Sequence, residues 1–568
     1  MPKKEPEEGE ETGEEKINEQ LDAILRLSGD MFADKRRDAV LSIQGLKDKI
    51  PDSRLKEVAG WLLKLSRDKN SSLRYTSLET LKDFIYMLPE DADETRAGIL
   101  DRIFDASFDK DENIIVFSIE SLGELKSLFT GKKKDKVVKR IVELCDAPED
   151  SVKTTALLTS GKFMDLMLPS VRRNVIEKVL ELCSYYKGYE SWSVRNDAVK
   201  ILRQEKEYIP ETRLWAVSDV MLKLMNDENS IVRISAIELL QEISEFVPLK
   251  VGKEIIEKLL NLLSDPEWEV RAASVNAIVS LREFISENKE SEIIEKLLKL
   301  CREDDWSVKR PCIHAFGELK SIVPAELRKE LIELILILSK DKDWYVRSPA
   351  VRVSGKLKEI TPDEIKGDVI KMLLELSEDT DWSVRRPAAQ ALGELVEFIS
   401  PDKINTVREQ LIKLCSDRDF GVRELSVLSL AYLSVNIDNE EKNREIISIA
   451  LKLCDDPDWK VKESAAKSLK YFNYPVDNKL YKKITVKLLV LNDDPDWNVR
   501  SASARAYGNL RKTIPEEMVG EIVKKLLKLS KDRDRNVHDS AVRSLRELKS
   551  RTPREMGDEV EAVLGGNK

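Results

Sequence analysis

The sequence predicts an all-α fold, a right-handed, elongated and curved solenoid of about 14 helix pairs. Three observations carry that expectation. The first is a fixed period. Residues 379–395, DTDWSVRRPAAQALGEL, contain a Trp-x-Val-Arg core that recurs at Trp344-Tyr345-Val346-Arg347 and, with lysine, at Trp306-Ser307-Val308-Lys309. Anchored on the last residue of that core, 14 copies run from Arg36 to His538, and ten of the 13 spacings are 38 residues. A period of this length marks stacked supersecondary units that bury their apolar faces against one another.

The second observation is that each period holds two segments with helical hydrophobic spacing. The first, helix A, is clear in residues 325–339, where Leu327, Leu331, Leu334, Ile335 and Leu338 recur at i, i+4, i+7, i+8 and i+11. The second, helix B, follows the anchor. The third observation is size: three residues past the anchor, all 14 copies carry Ala, Ser or Cys. Side chains this small allow neighbouring helices to approach closely. Large apolar residues at +4, +7 and +10, such as Ile237, Leu240 and Ile243, complete the buried stripe of helix B.

The punctuation agrees with this reading. Proline stands 15 residues past the anchor at Pro51, Pro89, Pro210, Pro248, Pro324, Pro362, Pro515 and Pro553, where it ends one helix and suits the start of the next. Asp343, Asp381, Asp458 and Asp496 precede helix B and supply side-chain caps. Pro311, Pro349 and Pro387 enter the first turns of three consecutive helices B and are expected to bend them.

At the ends, residues 1–17 carry seven glutamates and almost nothing apolar, which predicts a disordered acidic tail. The repeat array is expected over residues 18–556, with a C-terminal cap and tail over 557–568. Two interruptions are expected as loops: Gly131 to Lys134, and the insertion Ser184 to Ser191 around Tyr185–Tyr189.

Composition limits the function classes. Charged residues make up 35% of the chain, and the net charge of −10 argues against bulk affinity for nucleic acid. No uncharged apolar run reaches the length of a membrane span, and the N-terminus has no signal-peptide core, so a cytoplasmic protein is expected. Cys145, Cys301, Cys415 and Cys454 all lie eight residues before an anchor, where other copies carry serine, so they read as small packing residues. With no CxxC pair and only His314 and His538, no metal site is expected, and no cofactor. A phosphate-binding glycine loop and a Ser-His-Asp set are also missing, so no enzyme is expected.

The repeat resembles the HEAT-repeat family of armadillo-like helical proteins. Its marks are an acid in the turn between the helices and a base opening helix B. Here the acid lies six residues before the anchor in 12 of 14 copies, with Ala147 and Tyr189 as the exceptions; Ile115 and His538 depart at the anchor. The Asp-x-x-Trp-x-Val-Arg form is most similar to that of the scaffold subunits of protein phosphatase 2A. The resemblance implies a non-catalytic scaffold or adaptor whose second helices form a concave, partner-binding surface. It admits two alternatives: a nucleic-acid-binding protein like the HEAT-like DNA-repair glycosylases, and a bilin-lyase-like protein, for which no residue here speaks.

Physically, a recurrent acid and base predict a ladder through the turns, in which Asp265, Arg271, Asp341, Arg347, Asp379, Arg385, Asp417, Arg423, Asp494 and Arg500 bond within their own or an adjacent repeat. Asp341 and Arg347 are expected to be coupled. The aromatic row of Trp192, Trp268, Trp306, Trp344, Trp382, Phe420, Trp459 and Trp497 reads as apolar cover for each turn, with a stacking platform for bases or a peptide as the rival. On helix B, positions +1, +5, +9 and +12 point away from the buried stripe. From repeat eight onward, position +5 carries no acid, and Arg310 and Arg386 add charge at +1. Arg310, His314, Arg352, Arg386, Lys467, Arg505 and Arg543 are therefore the candidate partner-binding residues, expected to dock an acidic segment of a protein partner. Glu359, Glu397, Glu424 and Glu463 share that face. The protein is expected to be monomeric by itself, with neither membrane nor nucleic acid as partner.

Overall fold

The computed structural model describes residues 13–185, 192–303, 305–471 and 478–565, apart from the side chains of Gly13, Glu14, Ser28, Ser184, Tyr185 and Thr212. Among them are 29 α-helices and no strand. The helices alternate as the period requires: 14 A/B pairs, then a last helix, Gly557–Gly565, which packs on the final pair. The chain is an all-α solenoid. It divides into two compact units, residues 1–258 and 259–568. No helix of the described residues is long and apolar enough to cross a membrane.

Three boundaries differ from those read in the sequence. The first helix begins at Gly13, ahead of the array boundary placed at residue 18, because the glutamates here share the helix with Ile17 and Leu21, whose leucine is buried. Residues 1–12 lie outside the described residues. Lys132, Lys133 and Lys134 are not a loop: they form the first turn of the helix Gly131–Leu144. That repeat needs a helix A to bury Val137, Ile141 and Leu144, and Gly131, at φ +51°, makes the turn into it. The helix preceding the Ser184–Ser191 insertion runs to Tyr185, and residues 186–191 lie outside the described residues.

Packing follows the small residue. All 14 side chains at +3, from Ala39 to Ala541, are buried, as are all six cysteines. Burial pushes the thiols of Cys145 and Cys454 up to about 12, which fits packing rather than ligation. The helices Trp306–Glu318, Trp344–Lys356 and Trp382–Glu394 run unbroken through their internal prolines. Pro387 has no N–H to offer the Ser383 carbonyl one turn back. The Ser348 hydroxyl of the preceding repeat donates to that carbonyl instead, at 2.7 Å.

The turns are tied together by arginine. Arg347 Nε and Nη2 donate to the two carboxylate oxygens of Asp379, in the next repeat, at 2.8 and 3.0 Å. Its Nη1 donates to the main-chain carbonyl of Asp341, in its own turn, at 2.9 Å. Arg385 does the same to Asp417 and the Asp379 carbonyl, Arg423 to Asp456 and the Asp417 carbonyl, and Arg500 to Asp532 and the Asp494 carbonyl. Lys309 and Lys462, with a single ammonium, reach only the next carboxylate, Asp341 and Asp494. Arg271 bonds the Asp265 carbonyl at 2.8 Å and lies 3.5 Å from Glu303. In the first unit Arg36, Arg74 and Arg195 bind Asp68, Asp109 and Asp227.

The expected coupling of Arg347 with Asp341 is thereby corrected. The guanidinium touches the carbonyl of Asp341, while the Asp341 carboxylate serves Lys309 and the Asp343 N–H. The offset also explains three of the four departures. An anchor of one repeat serves the acid of the next, so Ile115 and Ala147 are the two ends of one missing rung. His538 heads the last pair and has no following acid to meet; its Nδ1 lies 2.5 Å from the Ser530 carbonyl.

Two outcomes are expected from this arrangement. Arg347→Ala and Asp379→Ala should each cost about 1.5–3 kcal/mol and fall short of additivity when combined, whereas Arg347→Ala with Asp341→Ala should add to within about 0.5 kcal/mol, as read by urea unfolding. The second concerns pH. At Asp379 burial opposes ionisation, but the Arg347 guanidinium and the Asp381 N–H outweigh it and hold the carboxyl below its usual range; at Asp532 the Arg500 guanidinium is the largest influence, in the same direction. A carboxyl lowered on folding stabilises fully above its unfolded value, near 4, and loses that contribution as pH falls through the lower folded value. The urea midpoint should hold steady from pH 7 to 5 and fall below pH 4, less steeply in Asp379→Asn than in the parent.

A candidate partner-binding groove

Side chains on adjacent helices B of the second unit meet at a fixed register. Positions +1 and +5 of one helix face −3, −2, +1, +2 and +5 of the next. What fills that groove varies from step to step.

Between repeats eight and nine it stays open. Arg310 and His314 from one helix, and Trp344, Tyr345, Ser348, Pro349, Arg352, Val353 and Lys356 from the next, line a pocket of about 240 Å³. The structure thus brings together three of the predicted residues, Arg310, His314 and Arg352. Asp343 accepts from the Tyr345 N–H at 3.0 Å and fixes the first turn of the second helix, so both aromatic rings are presented at its start. Tyr345 stacks on Trp344, with ring centres 3.8 Å apart, and on Trp306 of the preceding repeat at 5.5 Å. Lys356 is held by Glu318 at 2.6 Å, and His314 lies 3.9 Å from the same carboxylate. Arg310 and Arg352 are exposed, and neither has an ion pair among the described residues.

Between repeats ten and eleven the same groove is filled from within. Gly421 takes the place of Tyr345, and a β-carbon there would lie 2.9 Å from Arg386 Nε. Arg386 lies across this glycine, 3.5 Å from Glu424. Burial pushes the Glu424 carboxyl up, with Arg386 opposing it. Arg386 therefore closes a groove of its own and is not placed with the other predicted residues.

Between repeats twelve and thirteen a pocket of about 230 Å³ opens at equivalent positions. It is lined by Glu463, Lys467 and Lys470, then by Trp497, Asn498, Ser501, Ala502, Arg505, Ala506 and Asn509, with Asn536 beyond. This unites Lys467 and Arg505. Lys467 is paired with Glu463 at 2.7 Å, and Arg505 Nη2 reaches the Ser540 hydroxyl at 3.3 Å. Arg543 stands apart, exposed and 3.7 Å from Glu547.

The tryptophan row is not closed cover. Trp344 and Trp382 leave 36% and 51% of their surface exposed, and Trp268, Trp306, Trp459 and Trp497 fall between. Trp459 and Phe420 share the ammonium of Lys460, 5.5 and 5.3 Å from their ring centres. Sequence reasoning missed Tyr345 as a site residue, although a signal was present: it is the one aromatic among 14 residues two before the anchor. Among the described residues no group of three or more His, Cys, Asp or Glu side chains is placed to hold a metal ion. Tyr345→Ala should cost under about 1 kcal/mol in urea unfolding, because the ring is 41% exposed and packs on other exposed rings.

Comparison with known proteins places this geometry in context. The family profile described as HEAT repeats matches residues 331–431, which include the Trp344–Arg352 wall, and that of the sister chromatid cohesion protein PDS5 matches residues 219–321. No curated protein matches the chain by sequence. Among solved structures, yeast importin-β (Kap95p) superposes with a TM-score of 0.54 at 14% identity, over 96% of this chain and 74% of that one. Kap95p in complex with Nup1 gives 0.53 at 14% identity over the same shares, and Kap121p bound to Pho4p gives 0.51 at 12% over 96% and 66%. With its 14 A/B pairs and its turn arginines the chain is an α-solenoid of HEAT-repeat type, and residues 331–431 match the HEAT-repeat family itself.

Proposed function

We propose that this protein is a non-catalytic scaffold that holds a protein partner on the exposed face of its later helices B, and that the partner docks through an acidic segment. The observation that carries this reading is the pair Arg310 and Arg352. Basic side chains nearby are satisfied within the molecule, Lys356 by Glu318 and Lys320 by Glu359. These two arginines are left beside an exposed aromatic stack in a chain of net charge −10. An unpaired guanidinium matches a carboxylate in charge and fork geometry. The fold supports the scaffold role, since Kap95p and Kap121p, of similar fold, are seen in complexes with the proteins Nup1 and Pho4p. A stacked solenoid offers a long array of such positions without any chemistry of its own.

The test is charge reversal. A protein recovered from native extract by the wild-type chain should bind the triple variant Arg352→Glu, Arg505→Glu, Arg543→Glu at least tenfold more weakly. Its affinity for the wild type should also fall as salt rises. Circular dichroism should show both chains equally helical, because these side chains lie outside the core. An unchanged affinity in the triple variant overturns the placement. Retention of duplex DNA at physiological salt overturns the partner class.

A further inference from the structure

The two open pockets are built at the same register. Trp344 and Trp497 stand three residues before their anchors, Ser348 and Ser501 one after, and Arg352 and Arg505 five after. Pro349 and Ala502 form equivalent apolar floors. Each pocket therefore pairs an exposed indole with an arginine across a small apolar surface, four repeats apart in one unit. Resting on the scaffold reading above, we propose that these are two equivalent anchor sites, and that one partner chain carries two short acidic segments, each with an aromatic or leucine side chain, that occupy them together.

The chemistry of each pocket selects that anchor. The indole face and floor take a large apolar side chain, while the guanidinium at +5 takes an adjacent carboxylate. In the first pocket Arg310 supplies a second guanidinium. Pro349 also has no N–H to offer the Tyr345 carbonyl one turn back. In the second pocket Glu463 stands where Arg310 stands in the first, and it neutralises Lys467. Discrete acidic side chains can be placed to avoid that glutamate, whereas a continuous phosphate backbone would run past it. A peptide is thus favoured over a nucleic acid.

Two sites also change the affinity argument. Packed helix axes stand about 10 Å apart, so four repeats separate the pockets by roughly 40 Å. A Gly/Ser linker of about 50 residues has a root-mean-square span that matches this distance. At that match the second contact becomes intramolecular, with an effective concentration on the order of 1 mM, which tightens a weak anchor severalfold to a hundredfold.

The probe is a capped synthetic hexapeptide, Gly-Asp-Phe-Asp-Glu-Gly, used singly and as two copies joined by such a linker, titrated calorimetrically into the full chain. The single peptide should bind at two sites per chain. Arg352→Glu should remove one, Arg505→Glu the other, and the double variant both. Trp344→Ala and Trp497→Ala should act on the same sites as the arginine beside them, while Lys200→Glu, an exposed +5 position of the first unit, should change nothing. The linked peptide should bind at a ratio of one and severalfold to a hundredfold tighter, and lose that gain in either single variant. One site or none in the wild type, two sites surviving Arg352→Glu, or no gain on linking each overturns the inference. So does a thymidine hexanucleotide that displaces the peptide at lower concentration. If the native partner still loses affinity in the triple reversal while the hexapeptide does not bind, the scaffold reading stands and the paired anchors fall.

Discussion

A single guanidinium that faces two ways holds successive turns of this protein in register. Arg347, Arg385, Arg423 and Arg500 each bind the carboxylate of the following repeat with one edge and a carbonyl of their own turn with another nitrogen. The carboxylate in turn accepts the N–H two residues on, as Asp379 does from Asp381. Carbonyl, guanidinium, carboxylate and amide thus form one chain of charge-assisted bonds. Arginine suits the role because its five donors point in fixed directions. Lysine can replace it only by giving up the carbonyl contact, as Lys309 and Lys462 do.

Because the ladder and the buried +3 residue set the spacing, the exposed positions are free to differ. The position two before the anchor decides each groove. Tyrosine at 345 builds an aromatic wall; glycine at 421 admits Arg386; lysine at 460 lies over Phe420 and Trp459; asparagine at 498 leaves a pocket. Close approach is itself built from small residues. At Gly393 a β-carbon would lie 2.4 Å from the Ser429 hydroxyl, which donates to the Ala389 carbonyl of the neighbouring helix. In this way one regular framework gives adjacent grooves different chemistry.

Much of this was legible in the sequence, for a physical reason. Units that pack only on their neighbours must repeat whatever packs, so the period, the helix pairs, the small +3 residue and the capping aspartates were all visible as recurrences. The offset of the ladder was visible too, in the joint loss of a base at Ile115 and an acid at Ala147. The recurrence left own and adjacent repeats both open, because acid and base sit six residues apart within a turn but 32 apart across the bond that forms. Local spacing suggested the wrong partner for Arg347.

What the sequence determined by itself is the α-solenoid and the faces of its helices, because both follow from hydrophobic period and residue size. It also named Arg310, His314 and Arg352, as basic residues on one exposed stripe. Only the tertiary structure decided that these three share a pocket with Trp344 and Tyr345, that Lys467 and Arg505 share another, and that Arg386 is taken up by Glu424. The reason is that a groove belongs to two helices 38 or 39 residues apart. Whether it opens or closes depends on how far each side chain reaches across, and on the space that its neighbour leaves.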